Sequence, residues 1–260
     1  MSERGRLAFV AALTAGAAAA VFIFLPPIPQ PQWYHDFADR RAFFGIPNFL
    51  DIASNAPFLV VAAFALWQLA RGRIAFIAPA ERWPYVFFFL GVGLTAFTSA
   101  WYHWQPGNER LPWDRLTMTV AFMGWFAAQL AERIGPRAGL AWLPLLLVAG
   151  PAAVIHWAAT EAAGAGDLRA YGLVHFYPAL LIPLLVWLFP PRYSRGGDVL
   201  LVLGLYALAL AAEWFDRAIF ALTGFVSGHT LKHLIAAFAV WRVLVMLRRR
   251  QPLAEVSYGR

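Results

Sequence analysis

The sequence predicts an all-α protein: a polytopic membrane helix bundle with a seven-helix core and one extra N-terminal helix. Three observations carry this. Apolar residue types make up 61% of the 260 residues and charged types only 13%, where a soluble domain runs nearer a quarter charged. Mean hydropathy is +0.59. Apolar runs of spanning length, roughly 20 residues, recur along the chain with breakers between them. This composition argues against a soluble enzyme, a disordered chain and a nucleic-acid-binding protein. A net charge of +7 then belongs to basic loops that orient the helices. Cysteine is absent, which removes disulfides, thiol nucleophiles and Cys-ligated metals. Any metal must be held by His and carboxylate. Of the basic residues, 20 are Arg and one is Lys, a bias that suggests a GC-rich, bacterial genome.

The first expected span is Leu7–Leu25, flanked by Arg4 and Arg6. A signal peptide is the competing reading. The run continues to Phe24 and Leu25 before Pro26-Pro27, longer than a usual signal core, and favours a retained helix. A polar, aromatic loop follows at Gln30–Asn48. Further helices are expected at Asp51–Ala70, Trp83–Trp104, Asp114–Ala131, Leu140–Trp157, Leu173–Phe189, Val199–Arg217 and His229–Leu247. Pro106-Gly107, Gly135-Pro136, Pro190-Pro191, Gly196-Gly197 and Gly224 punctuate them. Pro144, Pro151, Pro178 and Pro183 fall in or near helices, which membrane helices tolerate because neighbours satisfy the freed carbonyls. The division is residues 1–29 for the N-terminal segment and extra helix, 30–248 for the core, and 249–260 for a basic tail. With eight spans, fourteen arginines fall on the side of the N-terminus and six on the other. That bias puts both termini in the cytoplasm.

Ionisable residues within membrane helices are costly and mark function by default. Ser99 and His103 sit at i and i+4 near the end of one span, and Asp114 opens the next. His229 and His233, again i and i+4, begin the last. Residues so spaced share a helix face. The topology sets all five at one depth, near the outer surface. Three His can bind one zinc ion and leave a fourth position for water, whose pKa falls to about 7. A carboxylate can take that water's proton, and a serine hydroxyl can donate to an oxyanion. Structural alternatives stand beside these roles. Ser99 can serve helix packing, Asp114 can cap its helix, and a helical His pair can simply pair with carboxylates.

Ser-x-x-x-His, an Asp eleven residues after that His, and His-x-x-x-His in the last helix resemble the alkaline ceramidase family. That family belongs to a superfamily of seven-helix membrane hydrolases that includes adiponectin receptors. Asn48-Phe49-Leu50-Asp51-Ile52-Ala53-Ser54-Asn55 resembles the segment that opens the family's first core helix. The resemblance covers roughly Trp33 to Arg248. It implies zinc held by His103, His229 and His233, with Ser99 and Asp114 as catalytic neighbours. The implied activity is zinc-dependent hydrolysis of ceramide-like N-acyl sphingoid lipids drawn from the bilayer. The alternative is a receptor or lipid sensor on the same scaffold, with structural zinc; Ser99 and Asp114 favour hydrolysis. A transporter fits less well, because no inverted repeat shows. No nucleic-acid partner is expected, and the location implied is a bacterial inner membrane with the site toward the outer face.

The resemblance also points to a calcium loop before the first core helix, where Asp36, Asp39 and Asn48 are the candidate ligands. Calcium wants six to eight oxygens. Arg40 and Arg41 adjoin Asp39 and Asn48 is neutral, so binding is expected to be weak or absent, with the two aspartates paired to arginines. Among the remaining polar residues, Asp216–Arg217 reads as a local pair and Glu213 as facing the cavity. His156, Glu161 and His175 read as supporting or interfacial residues, with a second outer polar cluster as the alternative. Trp33–Tyr34 and Trp101–Tyr102 read as an interfacial belt. Lys232 is expected to snorkel, and Arg248-Arg249-Arg250 to meet anionic headgroups.

Overall fold

A computed structural model describes residues 1–253; the C-terminal part of the expected basic tail, 254–260, lies outside the described residues. The helices run α1 (Glu3–Phe24), α2 (Phe49–Ala53), α3 (Ala56–Ala70), α4 (Arg82–Trp104), α5 (Leu111–Arg133), α6 (Pro136–Ala162), α7 (Arg169–Leu188), α8 (Gly197–Trp214), α9 (Asp216–Thr223) and α10 (Gly228–Arg249). No strand occurs among the described residues. The protein is an all-α polytopic helix bundle and an integral, multi-pass membrane protein.

Seven helical segments are long and apolar enough to cross a bilayer, counting α2 and α3 as one. The remaining expected span is α5, 23 residues long and so about 34 Å. It is less apolar because protein rather than lipid surrounds it. Most of its residues are buried, and it packs on α4, α6 and α7. Close approach comes from small residues, as membrane helix packing favours. A Cβ on Gly91 of α4 would stand 2.4 Å from the Ala121 backbone nitrogen. One on Gly124 of α5 would stand 2.6 Å from that of Phe88. Large apolar side chains such as Trp187, Leu180, Val148 and Val60 are exposed on the bundle's exterior, as a lipid-facing surface requires.

Several helices begin or end a few residues beyond expectation, α6 most, at Pro136–Ala162, and two expected helices are interrupted. The first core helix breaks at Ser54-Asn55, between α2 and α3. The helix expected to run to Arg217 stops at Trp214, and a short amphipathic helix, α9, follows. Its physical reason is Asp216, whose Oδ1 accepts from the His229 backbone N–H at 2.8 Å and whose Oδ2 accepts from that of Ala38 at 2.8 Å. The chain must turn before Asp216 to deliver both oxygens.

The extra helix α1 rests on α7 at the bundle's edge, with Val10 its one buried side chain among the described residues. Arg6 donates to the Leu188 carbonyl at 2.8 Å, and Tyr177 donates to Thr14 at 2.8 Å. At the opposite end of the core from the histidines, Arg250 binds Glu132, which also accepts from Tyr85. The Arg250 side chain is 1% exposed. This corrects the expectation that the whole arginine triplet meets headgroups: Arg250 turns inward because a buried carboxylate needs a partner.

Candidate metal centre

The histidine pair is delivered by the start of α10. Ser227 caps that helix, accepting from the Thr230 backbone N–H at 3.0 Å. Asp51 of α2 accepts from the Thr230 hydroxyl at 2.6 Å and from the Ser227 hydroxyl at 3.3 Å. Gly228 is required at the same place, since a Cβ there would lie 2.0 Å from the Ala212 carbonyl oxygen. These contacts fix the height and rotation of α10, and with them the side-chain directions of His229 and His233.

His103, near the end of α4, completes the group. The three histidines are buried, and one ligand nitrogen from each lies within 4.8 Å of the others. His103 Nε2 and His229 Nε2 are 3.1 Å apart. Zinc–nitrogen distances of about 2.0–2.1 Å at tetrahedral angles put two ligand nitrogens about 3.3 Å apart, so this pair has nearly the spacing a metal imposes. The far side of His233 is held as well: its Nδ1 lies 2.8 Å from the Ser54 hydroxyl, the kind of outer contact that fixes a ligand's tautomer and ring plane. His229 Nδ1 lies 3.5 Å from Glu213 Oε1. The three buried histidines can hold a metal ion.

A cavity of about 760 Å³ opens beside the cluster. Ser99, Asp114 and His233 line it, together with the apolar faces of α4, α5, α7, α8 and α10. Ala17 and Val21 of α1 and Leu25 just after it form part of its wall, as do Phe176 and Leu180 of α7, both exposed. The opening exists because α7 packs on α5 and α6 rather than on α8. On the loop side, the Phe37 ring closes the cluster, with its centroid 4.7 Å from that of His103 and 4.3 Å from that of His229. Of the three histidines, His233 faces the cavity.

Of the five residues expected at one depth, the three histidines form one cluster, and Ser99 and Asp114 line the cavity that His233 also lines. The calcium candidates do not come together. Asp36 pairs with Arg40 and Arg217, and Asp39 with Arg41. Burial pushes the Asp39 carboxyl up, and the Arg41 hydrogen bonds more than offset this, leaving it below the usual carboxylate range. Arg41 also donates to the carbonyls of Gly224 and Phe225, so a guanidinium ties this loop to the turn before α10. Asn48 faces elsewhere, donating to the His103 carbonyl at 2.8 Å.

Several polar residues take partners that spacing did not indicate. Arg217 pairs with Asp36 rather than Asp216. Lys232 binds Glu213 on the cavity wall instead of snorkelling. His156, Glu161 and His175 do not cluster. His156 lies near Asp167. Glu161 accepts from the Gln30 backbone N–H and from Asn108, and His175 lies 3.0 Å from the Tyr171 hydroxyl. Of the two aromatic pairs, Trp33 and Trp101 face outward, but Tyr102 is buried against His35. Ser54 and Thr230 support the histidines and have no motif of their own. Their signal in the sequence is their place, Ser54 within the opening segment Asn48–Asn55 and Thr230 between the paired histidines.

The fold and site define a class: a multi-pass membrane protein with a buried three-histidine cluster at the end of a lipid-facing cavity. Comparison with known protein families, with curated proteins and with solved structures finds no match to this chain.

Proposed function

We propose that the protein is a zinc-dependent intramembrane amidohydrolase that cleaves ceramide-like N-acyl sphingoid lipids into a fatty acid and a sphingoid base. The observation that carries this reading is that Ser99 and Asp114 line the same cavity as His233. A purely structural three-histidine site needs neither. His103, His229 and His233 would hold the zinc, and three nitrogen ligands leave one position open. Zinc bound there supplies Lewis acidity, polarising a carbonyl and making water available as a nucleophile near neutral pH. The apolar cavity takes the acyl chain and excludes bulk water. Asp114 accepts the proton of the attacking water and returns it to the departing amine. Ser99 donates its hydroxyl hydrogen to the carbonyl oxygen as charge develops there.

The same proposal puts the protein in a bacterial inner membrane, with cytoplasmic termini and the cluster toward the outer face, on the strength of the arginine bias. Reporter fusions after Arg6 should then read cytoplasmic, and fusions in the Pro106–Glu109 loop external. The deciding experiment joins metal analysis of the purified protein to mass-spectrometric profiling of products from a panel of N-acyl lipids. Fatty-acid release that is lost with the metal in His229→Ala supports the reading. Metal and lipid binding without release would make the protein a receptor or lipid sensor.

A further inference from the structure

Arg115 follows Asp114 on α5 and lines the same cavity. It is buried, and no carboxylate among the described residues lies within ion-pair distance of it. Its guanidinium sits over three aromatic rings, 4.2 Å from the Trp157 centroid, 4.6 Å from Tyr171 and 5.4 Å from Tyr34. These rings cover its faces. Nη2 donates to the Gln30 side-chain oxygen at 2.7 Å, while Nε and Nη1 are buried without any acceptor. A cation inside a membrane protein is costly unless paired, and an arginine fork matches planar, anionic oxygen groups. Cation–π contacts and one neutral amide leave those in-plane donors unused.

We propose that Arg115 is an anion subsite of the cavity, receiving a carboxylate or comparable acidic group of an amphiphile whose chain lies in the apolar part. The inference rests on the proposed role of the cavity as a lipid site. Two sources share this chemistry: the carboxylate of a released fatty acid, and the acidic headgroup of an N-acyl lipid. Asp114 and Arg115 are adjacent along α5, so a group held by Arg115 lies beside the proposed proton acceptor.

Binding to the full-length protein in detergent tests this without turnover, so a failure of hydrolysis and a failure of the subsite are distinguishable. The probes are dodecanoate, N-dodecanoylglycine and the neutral N-dodecanoylethanolamine. Wild-type protein should bind at least one acidic probe tighter than the neutral one by about tenfold or more, the effect of a charge-assisted hydrogen bond. Preference for dodecanoate alone identifies the product carboxylate, and preference for both acids extends the subsite to headgroups. Arg115→Gln should erase the preference for acidic over neutral probes, and Arg115→Lys should keep part of it. His103→Ala, which breaks the metal set, should keep it. Equal wild-type affinity for acid and neutral probes overturns the proposal, even if the Arg115 variants fail to fold. Loss of the preference in His103→Ala also overturns it, since the metal would then be holding the acid.

Discussion

Ser54→Ala removes one hydroxyl from behind one histidine. That hydroxyl lies 2.8 Å from His233 Nδ1 and 3.2 Å from the Asp51 carbonyl, and both Ser54 and His233 are buried. Truncation takes away the protein partner of a buried Nδ1. An unsatisfied buried polar group costs about 1–3 kcal/mol. That cost falls on the folded protein; metal affinity should fall in addition by about 10–100-fold, the range found for partners that orient metal-binding histidines. The assay is zinc competition against a chromophoric chelator, run beside thermal melts of the metal-free protein. The metal-free melt should fall by that cost, and the zinc-loaded melt should fall further, by the additional loss of zinc affinity. Ser54→Thr, which keeps the hydroxyl, should recover part of the affinity. Unchanged zinc affinity in a folded Ser54→Ala protein would refute the reasoning, because ring orientation would then owe nothing to this contact.

Asp114→Asn should keep zinc and lose turnover, and Ser99→Ala should lower turnover by roughly 10²–10³; metal content measured beside fatty-acid release checks both. Gly228→Ala would drive a methyl against the Ala212 carbonyl oxygen, 2.0 Å from the ideal Cβ, and should destabilise the fold by about 1–3 kcal/mol or more. Because α10 must shift to admit the methyl, zinc affinity should fall in the same variant. The Asp167 carboxyl, in the loop before α7, is held down at about 2 chiefly by its hydrogen bonds from Arg169, against about 3.9 when unfolded. A depressed carboxyl contributes stability above its unfolded value and loses that contribution as pH falls through the folded one. Asp167→Asn should therefore lower Tm at pH 7 and converge on wild type as pH approaches about 2, read by thermal melts across pH.

The helices were legible because spanning length and apolar content leave few alternatives. The depth of Ser99, His103, Asp114, His229 and His233 followed from topology and helical spacing alone. What sequence could not supply was lateral placement. Gly91 lets α4 come close to α5 at Ala121, and Gly228 lets α10 come close to the end of α8 at Ala212; the sequence around each glycine names neither partner. Lys232 and Arg250 show the same limit: each stands where a basic residue ordinarily reaches for water, and each meets a carboxylate from another helix. The break at Trp214 escaped notice because no proline or glycine marks it. Asp216 sets it, through backbone groups of residues on two other segments. Ser54 illustrates the point for the site itself, since a serine in an apolar run reads as packing until the histidine behind which it sits is known.

Phe37 closes the histidines from the loop side, while the cavity opens past Phe176 and Leu180 onto the bundle's exterior. A ligand that arrives by that route is dissolved in two dimensions before it binds. Its effective concentration is then a mole fraction among the lipids rather than a molarity in the buffer. Diluting such a ligand with inert lipid should weaken occupancy at fixed total amount, whereas adding buffer should leave it nearly unchanged.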